Sequence, residues 1–455
     1  MAVQQETRAL AEFLHSISSS ALPQTAIDKA KMCVEDFLGV AIAGSTKPES
    51  QIWKTYCSKL PDGDGASAFA PGFARHSPET AAALNAVFGH VMDLDDVHNA
   101  SITHLGAVTI PTAIALGQSL KASGMDVITA VVSGYEAGAR IGEAINPSSY
   151  QYWHTTGAIG AFSSAAAAAK LLSLGEEELV NALGSAGTQA AGLWEFLRNG
   201  SMSKVLHTAN ANLCGIRSAR LAALGFTGAD TILEGDRGFV KALAPKYKLD
   251  CLTKDFGSPY KIEENSFKPY ACCRHIHSAQ YCMEQLAKDH PLDPEDILSI
   301  QDDTYETAVK TVNNPYPENP YAAKFSIQFC IAAAMILGEL SDRVFTPENI
   351  QDPRIRRLME KIQIKADPAL DEVFRSHPDQ WAHRLTVTLT DGRVLTGQVD
   401  YPLGDAKNPF DWETADRKFS LLTGELLGRE RAGALMERLH RLETLTDINE
   451  LFQTA

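Results

Sequence analysis

The sequence predicts a mainly α-helical protein, a large helical bundle with a smaller α+β domain. Residues 108–225 are dominated by Ala, Gly, Leu and Ser in helical runs, with no alternation of strands and helices. Residues 385–399 instead alternate apolar and polar side chains around an Asp391–Gly392 turn, which is typical of a β-hairpin. These two patterns indicate a helical body and a separate α/β part.

The elements follow in chain order from local patterns. Apolar stripes predict two helices within residues 4–45, and Pro23 marks the first turn of the second. The small residues of 108–225 predict closely packed helices. Three glycines are expected just after helix ends, as C′ residues: Gly124, Gly175 and Gly225. The segment Leu298–Asp303 is a candidate strand that precedes the hairpin.

The domain boundaries follow from changes in composition near residues 266 and 400. Because 455 residues exceed one ordinary core, two domains are expected. We predict a discontinuous all-helical domain of residues 1–265 and 401–455, and an α/β domain of residues 266–400. The tail from Trp412 to Leu451 is helical again, so we expect it to pack back on the first domain.

Composition excludes several classes of function. The net charge of −15 leaves no basic field for nucleic acid, although a small anion needs only a local basic cluster. The most apolar stretch, Phe325–Leu340, is too short to span a bilayer, and the N-terminus lacks a signal-peptide pattern. The eight cysteines form no C-x-x-C pair, which indicates reduced thiols in a cytoplasmic protein and no iron–sulfur cluster.

Residues 88–107 hold an unusual density of titratable groups for a chain that is 21% charged. The stretch reads FGHVMDLDDVHNASITHLGA and contains Asp93, Asp95, Asp96, His90, His98 and His104. The apolar spacing of Leu84 to Val91 continues to Asp95, which places a carboxylate on a face that should be buried. Burying a carboxylate is costly unless it is paired. One such residue fits a loop anchor, but six titratable groups together favour a functional site.

Two further clusters open helices in the small-residue region. In Trp153–Gly157, His154 precedes an Ala-rich helix for which Thr155 or Thr156 is the expected N-cap. In the second cluster, Gly200–His207, Lys204 and His207 share one helix face. A lysine in the first turn opposes the helix dipole, which favours either anion binding or simple exposure to solvent.

Basic residues also crowd the expected domain junction. Residues 267–277 read FKPYACCRHIH and contain Lys268, Arg274, His275 and His277. The two histidines of this stretch are able to bind metal, although one H-x-H motif is weak support for a metal site. Lys324 lies in a fourth polar cluster, of low specificity, before an apolar helix.

Taken together, these motifs resemble the MmgE/PrpD family. The resemblance rests on D-L-D-D-V-H followed by a second histidine, W-H-T-T-G, G-S-M-S-K-x-x-H, L-E-G-D-R-G-F and F-K-P-Y-A-C-C-R-H, in this order. The family includes 2-methylcitrate dehydratases, cis-aconitate decarboxylases and iminodisuccinate epimerases. The resemblance implies a large helical domain, a smaller α/β lid domain, a homodimer, and an active site between the domains.

The resemblance also implies the site residues. Decarboxylase-like members use positions that correspond here to Asp93, His104, His154, Lys204 and Lys268. The chain departs from members that carry Thr where it has Val97, which His98 follows. We expect Asp93, His104, His154 and Lys204 to be catalytic. The residues expected to bind substrate are His98, Lys268, Arg274 and His275.

The activities of the family share proton movement at a carbon next to a carboxylate. We therefore expect a lyase acting on a small di- or tricarboxylate, with cations that stabilise the developing charge. His104 and His154 would transfer the proton, and Asp93 would orient an imidazole or raise its pKa. No cofactor or metal is required by this scheme. The alternatives are an epimerase of an iminodisuccinate-like acid, a metal-dependent enzyme using the Asp-rich motif, and a non-catalytic binding protein.

Overall fold

The computed structural model describes residues 5–61 and 63–453, and its first half is a bundle of helices. The helices that precede residue 250 are α1 Glu6–Ser16, α2 Gln24–Gly44, α3 Pro48–Cys57, α4 Pro78–His90, α5 Leu105–Leu120, α6 Gly124–Ile145, α7 Thr155–Leu171, α8 Glu176–Gly187, α9 Lys204–Ala223 and α10 Phe239–Leu243. Two short antiparallel strands interrupt them, β1 Ala66–Ser67 and β2 Arg75–His76. Both predicted N-terminal helices are present, as α1 and α2.

Helix α7 lies at the centre of this bundle. It packs against α5, α6, α8 and α9, and all its residues from Thr155 to Ala169 are buried. Small residues make this possible, since a Cβ added at Gly160 would lie 2.6 Å from Cγ1 of Val108 and 2.8 Å from Cβ of Ala211. The composition of residues 108–225 thus translates directly into close helix packing.

Only one of the three glycines predicted to end helices does so. Gly225 follows α9 with φ +85. The predictions for Gly124 and Gly175 are wrong, because Gly124 is the first residue of α6 and Gly175 is the N-cap of α8. The left-handed positions after α5 and α7 belong instead to Lys121 and Ser173. Gly124 is required for another reason: a Cβ there would lie 1.7 Å from the Leu442 carbonyl oxygen.

The second half of the chain combines helices with a four-stranded sheet. Its helices are α11 His277–Asp289, α12 Glu306–Val312, α13 Pro320–Ala323, α14 Ile327–Leu337, α15 Pro347–Gln351, α16 Pro353–Met359, α17 Pro368–Ser376, α18 Trp412–Leu427 and α19 Arg429–His440. The strands are β3 Ile297–Thr304, β4 Ile362–Ala366, β5 His383–Leu389 and β6 Val394–Val399, in the order β4-β3-β5-β6. Only the β3–β4 pair is parallel.

The predicted hairpin is the β5–β6 pair. Burial alternates strictly along β5, so that His383, Leu385, Val387 and Leu389 face inward. The turn contains Gly392 at φ +88, a backbone conformation that glycine adopts without strain. Helix α11 covers β5 and β6. The strand predicted at Leu298–Asp303 is β3.

The last two helices return to the start of the chain. Both α18 and α19 pack against α2 and against each other, as expected for the C-terminal tail. The mainly helical fold with a smaller mixed sheet is confirmed, whereas the exact division into two domains stays a prediction. Across residues 5–61 and 63–453, no helix has the length and hydropathy that a bilayer span requires.

Helix α4 leads directly into the acidic motif. Its position is set by close contacts with α2 at two glycines. A Cβ added at Gly44, the last residue of α2, would lie 2.0 Å from the Phe88 carbonyl oxygen of α4. At Gly89 an added Cβ would meet the Phe37 ring at 2.1 Å. The crossing of α2 and α4 therefore tolerates no side chain at either position.

We predict that Gly44→Ala lowers the free energy of unfolding by about 1–3 kcal/mol, because the clash is with backbone that cannot move aside. Urea titration followed by circular dichroism measures the change. Gly433→Ala in α19 is the matched control: no atom lies within 4 Å of its added Cβ, so stability should be unchanged or slightly higher. Equal effects of the two substitutions would contradict the packing described for α2 and α4.

Candidate active site

Three helix N-termini meet at the site. His104 is the N-cap of α5, His154 is the N-cap of α7, and Lys204 is the first residue of α9. Thr155 and Thr156 are therefore not the N-cap, contrary to the sequence prediction. Thr156 Oγ1 instead accepts a hydrogen bond from the His104 backbone N–H at 3.1 Å, which ties the start of α5 to α7. The N–H groups at helix N-termini contribute partial positive charge to this region.

A buried carboxylate holds two lysines at the site. Lys268 Nζ lies 2.7 Å from Asp93 Oδ1 and also donates to the Asp93 backbone carbonyl at 2.9 Å, while Lys204 Nζ lies 3.1 Å from Oδ2. All three side chains are buried. Burial by itself would raise the pKa of Asp93, but Lys204 and Lys268 outweigh it and hold that pKa well below its usual range. Asp93 is therefore ionised at neutral pH.

Asp95, rather than Asp93, contacts the imidazoles. His90 Nδ1 lies 2.7 Å from Asp95 Oδ2, and His104 Nδ1 lies 3.4 Å from the same oxygen. Burial opposes ionisation of Asp95, yet the two histidines keep its pKa well below the usual value. The prediction that Asp93 orients an imidazole is wrong in this respect, because both Asp93 oxygens face lysines.

The tautomer of His104 follows from its contacts. Its Nδ1 lies 2.9 Å from the backbone carbonyl oxygen of Asp96, which only accepts hydrogen bonds. Nδ1 therefore carries the proton, and a neutral His104 keeps its Nε2 lone pair free for another partner. The His90 ring stacks on His154 with centroids 5.6 Å apart and meets the His104 ring edge-on at 4.9 Å.

Asp96 anchors the motif to the helical body. It accepts hydrogen bonds from the Tyr135 hydroxyl at 2.6 Å, the Asn265 side-chain amide at 2.6 Å and the Gly106 backbone N–H at 3.1 Å. Burial raises the pKa of Asp96 to about 7. The three carboxylates of the motif thus serve three different sets of partners.

This arrangement bears on metal binding. Because Asp93, Asp95 and Asp96 contact different partners, they do not converge as the three oxygen ligands that the metal-dependent alternative requires. His90, Asp95 and His104 do offer three donor atoms within 4.8 Å of one another and are able to hold a metal ion. His275 and His277, the H-x-H pair, have separate partners in Tyr305 and Arg274.

His154 occupies a different environment from His104. Its Nδ1 lies 3.0 Å from His207 Nδ1, so one ring donates to the other. Burial, followed by His207, His90 and Lys204, lowers the pKa of His154 well below its usual value. Burial and Lys204 lower the pKa of His207 to about 4. Both rings are therefore neutral at pH 7.

Four of these side chains, Asp93, His104, His154 and Lys204, line a narrow cavity at the junction of the two halves of the chain. Its walls are Asp93, Val97, Ile102, His104, Tyr150, His154, Trp194, Lys204, Cys273, Arg274, His275, Phe325 and Trp381. Its volume of about 20 Å³ is on the order of that needed by one water molecule. A larger ligand therefore requires the walls to separate.

The predicted substrate-binding residues have different positions. Arg274 and His275 line the cavity, although Arg274 already pairs with Asp405 at 3.2 Å. His275 stacks on Trp381 with ring centroids 4.2 Å apart, and its Nδ1 lies 2.6 Å from the Tyr305 hydroxyl. Its Nε2 has no hydrogen-bond partner. Lys268 lies behind Asp93 and is fully buried.

His98 lies apart from this group. It faces a separate pocket, where its Nε2 is 3.3 Å from Glu264 and 3.9 Å from Glu143. Its Nδ1 lies 3.0 Å from the Ser101 hydroxyl. The geometry therefore brings together seven of the eight predicted residues and leaves His98 outside.

The predicted set omits several residues that shape the site. His90 and Asp95 were visible in the dense stretch, and His207 shares a helix face with Lys204, but no sequence signal indicates which group each one contacts. Trp194 and Trp381, two aromatic residues of the cavity wall, lie in none of the sequence motifs. Their positions depend on tertiary packing.

Two family models match the chain along most of its length. The MmgE/PrpD N-terminal domain matches residues 8–252, and the MmgE/PrpD C-terminal domain matches residues 270–442. The chain is 26% identical to the cis-aconitate decarboxylase of Aspergillus terreus over 98% of this chain and 95% of that protein. Against the cis-aconitate decarboxylase of Homo sapiens it is 26% identical, over 99% and 94%. The 2-methylcitrate dehydratase of Salmonella typhimurium is 26% identical over 55% of this chain and 53% of its own length.

We predict that Asp93→Asn lowers the free energy of unfolding by about 3–5 kcal/mol at pH 7, because two buried ammonium groups lose their counter-ion. Asparagine tolerates the left-handed backbone of this position, where φ is +55, so the effect reports charge rather than strain. Thermal and urea denaturation measure it. Asp236→Asn breaks the exposed Asp236–Lys241 pair and should leave stability nearly unchanged. A similarly small loss of stability in Asp93→Asn would refute the buried ion pairs of Asp93 with Lys204 and Lys268.

The sign of the pH dependence follows from the depressed pKa of Asp93. The folded state keeps this carboxylate ionised where the unfolded chain takes up a proton, so its contribution is complete above the unfolded pKa of about 3.9. The contribution is lost as pH falls further, toward the folded pKa. The stability difference between wild type and Asp93→Asn should therefore be constant from pH 8 to 6 and narrow below about pH 4.

Proposed function

Because the chain belongs to the MmgE/PrpD family, we propose that it is a lyase that acts on a small tricarboxylate, with decarboxylation of cis-aconitate as the first candidate reaction. Decarboxylases match nearly the whole chain, whereas the dehydratase of Salmonella typhimurium matches about half of it. Dehydration of 2-methylcitrate is therefore the second candidate. Both substrates carry several carboxylates, which suits a cavity lined by Lys204 and Arg274.

The observation that carries this proposal is the pair of imidazoles beside Lys204 in one cavity. His104 and His154 both line the cavity, and Lys204 projects into it from the start of α9. The imidazoles are positioned to hold or release a proton. The ammonium group is positioned to stabilise negative charge on a substrate carboxylate.

Decarboxylation of cis-aconitate makes specific demands on these groups. The carboxylate on the saturated carbon leaves as CO₂, and the electron pair of the broken C–C bond forms a new double bond to the central carbon. The original double-bond pair then takes a proton at the far carbon. Negative charge develops over these carbons and their carboxylate, so a fixed cation and a proton donor are both needed.

The groups that face His104 and His154 decide which of the two histidines is assigned this proton. An imidazolium at His104 faces the Asp95 carboxylate at 3.4 Å and the Asp96 carbonyl oxygen at 2.9 Å. His154 faces His207, His90 and Lys204, all of which lower its pKa. We assign the proton donor to His104, while neutral His154 orients the substrate; in the alternative dehydration, His154 would accept the proton that the substrate loses.

Asp93 acts through the lysines rather than on the substrate. Its pairing with Lys204 fixes the ammonium group at the cavity wall, and Lys268 supplies the second positive charge that keeps Asp93 ionised. Arg274 and His275 also line the cavity. Val97 also lines the cavity and offers no hydroxyl group to a substrate carboxylate.

We further propose that residues 266–400 move as a lid over residues 1–265 and 401–455. The later segment supplies Cys273, Arg274, His275, Phe325 and Trp381 to the wall, and the present cavity is too small for a six-carbon acid. We also propose a cytoplasmic homodimer. The cysteines other than Cys57 are free thiols, which is typical of a reducing compartment, and the dimer follows from the family resemblance.

We predict that the purified protein releases one CO₂ from each cis-aconitate consumed, and that activity persists after chelation with EDTA. The physical reason is that His104 and Lys204 supply the proton and the charge without a metal. Coupled CO₂ detection measures the rate, with 2-methylcitrate and an iminodisuccinate-like acid as comparison substrates. Turnover of 2-methylcitrate alone would favour dehydration instead. Loss of activity on chelation, restored by one divalent ion, would reassign His90, Asp95 and His104 to a metal site.

We predict that His104→Gln and His154→Gln each lower kcat by roughly a hundredfold or more, as expected when a general acid or base is lost. Melting temperatures should change little, because neither substitution opens a large apolar cavity. His377→Gln, at an exposed position after α17, is the control for loss of an imidazole and should keep full activity. Near-normal turnover in both site variants would overturn the proton-transfer assignment.

A further inference from the structure

A second cluster of potential metal-ligating side chains lies outside the active-site cavity, where α2, α18 and α19 meet. Glu35 comes from α2, Asp416 from α18, and His440 is the last residue of α19. His440 Nε2 lies 2.8 Å from Asp416 Oδ1 and 3.3 Å from Glu35 Oε2. One donor atom from each of the three residues lies within 4.8 Å of the other two.

Glu35 is the unexplained member of this cluster. Its side chain is 1% exposed, and neither carboxylate oxygen has a hydrogen-bond partner. A buried carboxylate normally has several partners, because its loss of hydration must be offset. Lys418, the nearby cation, instead pairs with Asp36 at 2.6 Å and donates to the Leu94 carbonyl at 3.0 Å. Burial, followed by the neighbouring Asp416 carboxylate, raises the pKa of Glu35 to about 9, so this acid is protonated at neutral pH when no cation is bound. Glu35 is therefore aimed into the cluster without a hydrogen-bonded counter-ion.

We propose that Glu35, Asp416 and His440 form a binding site for a divalent transition-metal ion of the Zn²⁺ type. Two carboxylates and one imidazole make a mixed oxygen and nitrogen donor set, which suits Zn²⁺ better than Mg²⁺ or Ca²⁺. Asp416 and His440 are 29% and 38% exposed, so an ion has a path from solvent and a water molecule completes its coordination. The ion would displace the proton of Glu35 and pair with the resulting carboxylate.

Two of the three distances between ligand atoms are close to those of a tetrahedral site. Ligand atoms bound at about 2.0–2.2 Å to Zn²⁺ lie about 3.2–3.6 Å from one another. The His440–Glu35 distance falls in this range, and the His440–Asp416 distance is shorter by less than half an ångström. The Trp412 ring packs edge-on against the His440 imidazole, with centroids 4.8 Å apart, and restrains its orientation. Small side-chain movements are therefore sufficient to form the site.

The role of such an ion is structural. Its ligands lie on three helices, two of which belong to the C-terminal tail, and it would fasten α18 and α19 to α2. None of the three ligands lines the catalytic cavity. Zinc bound here should therefore raise the melting temperature and leave the catalytic rate unchanged.

The test compares zinc binding by metal-stripped wild-type protein with binding by His440→Gln and Asp416→Asn. Both ligands are partly exposed, so these variants retain the fold, and Glu35→Gln provides a third variant that preserves volume. Each chain is incubated with micromolar ZnCl₂ and desalted, and its zinc content is measured by elemental analysis. Melting temperature is recorded with and without ZnCl₂, and with MgCl₂ as the comparison ion.

We expect each variant to bind one zinc ion fewer per chain than wild type, with affinity at this site weakened at least about tenfold. Removing a ligand should cost at least as much as removing one of its supporting contacts. Zinc should raise the melting temperature of wild type and of the control His377→Gln, but not of the ligand variants, and magnesium should have no effect. Equal zinc content or an equal shift in wild type and the ligand variants would overturn the site, as would a wild-type chain whose melting temperature ZnCl₂ does not raise.

Discussion

The ion pairs of Asp93 with Lys204 and Lys268 are the interaction on which the rest of the site depends. They join three segments that are remote in sequence: the acidic motif after α4, the start of α9, and the stretch that follows residue 265. Removing three charged groups from water is costly, and only their close mutual contact offsets this cost. The carboxylate is itself held at a left-handed backbone position that few residue types tolerate. The charges therefore fix the position of Lys204 in the cavity wall with little freedom.

The other two carboxylates of the motif, Asp95 and Asp96, have different partners. Asp96 attaches the motif to Tyr135, Asn265 and the backbone at Gly106, while Asp95 holds the His90 and His104 imidazoles. Helix α4 ends at His90, so the residues that follow it no longer share one face. Neighbouring carboxylates can then point in different directions. One short motif thus provides an anchor, an imidazole partner and a lysine partner.

The sequence was sufficient for the features that depend on local pattern. Alternation along β5, the turn at Gly392 and the small residues of α7 each correspond to the structure that their spacing predicts. Two members of the dense stretch of histidines and carboxylates, Asp93 and His104, also line the candidate cavity. These signals are visible in sequence because each arises from residues that are close together along the chain.

What could not be predicted depends on contacts between distant segments. Spacing does not reveal that Asp95 rather than Asp93 meets the imidazoles, or that His98 turns toward Glu143 and Glu264. Gly124 fits the sequence pattern of a helix end, yet glycine is required there because the Leu442 carbonyl oxygen leaves no room for a Cβ. Likewise, no motif joins Glu35 to Asp416 and His440, because they are brought together only when the C-terminal helices pack on α2.

The central claim is that a positioned side chain, with charge stabilised by Lys204, delivers a proton to the carbon skeleton of the substrate. The most direct measurement is the turnover of cis-aconitate in D₂O, followed by analysis of where deuterium enters the product. The account predicts one carbon-bound deuterium per CO₂ released, placed on a single face because His104 is held by Asp95 and the Asp96 carbonyl. Equal incorporation on both faces would mean that bulk water protonates a released intermediate, and would contradict the account.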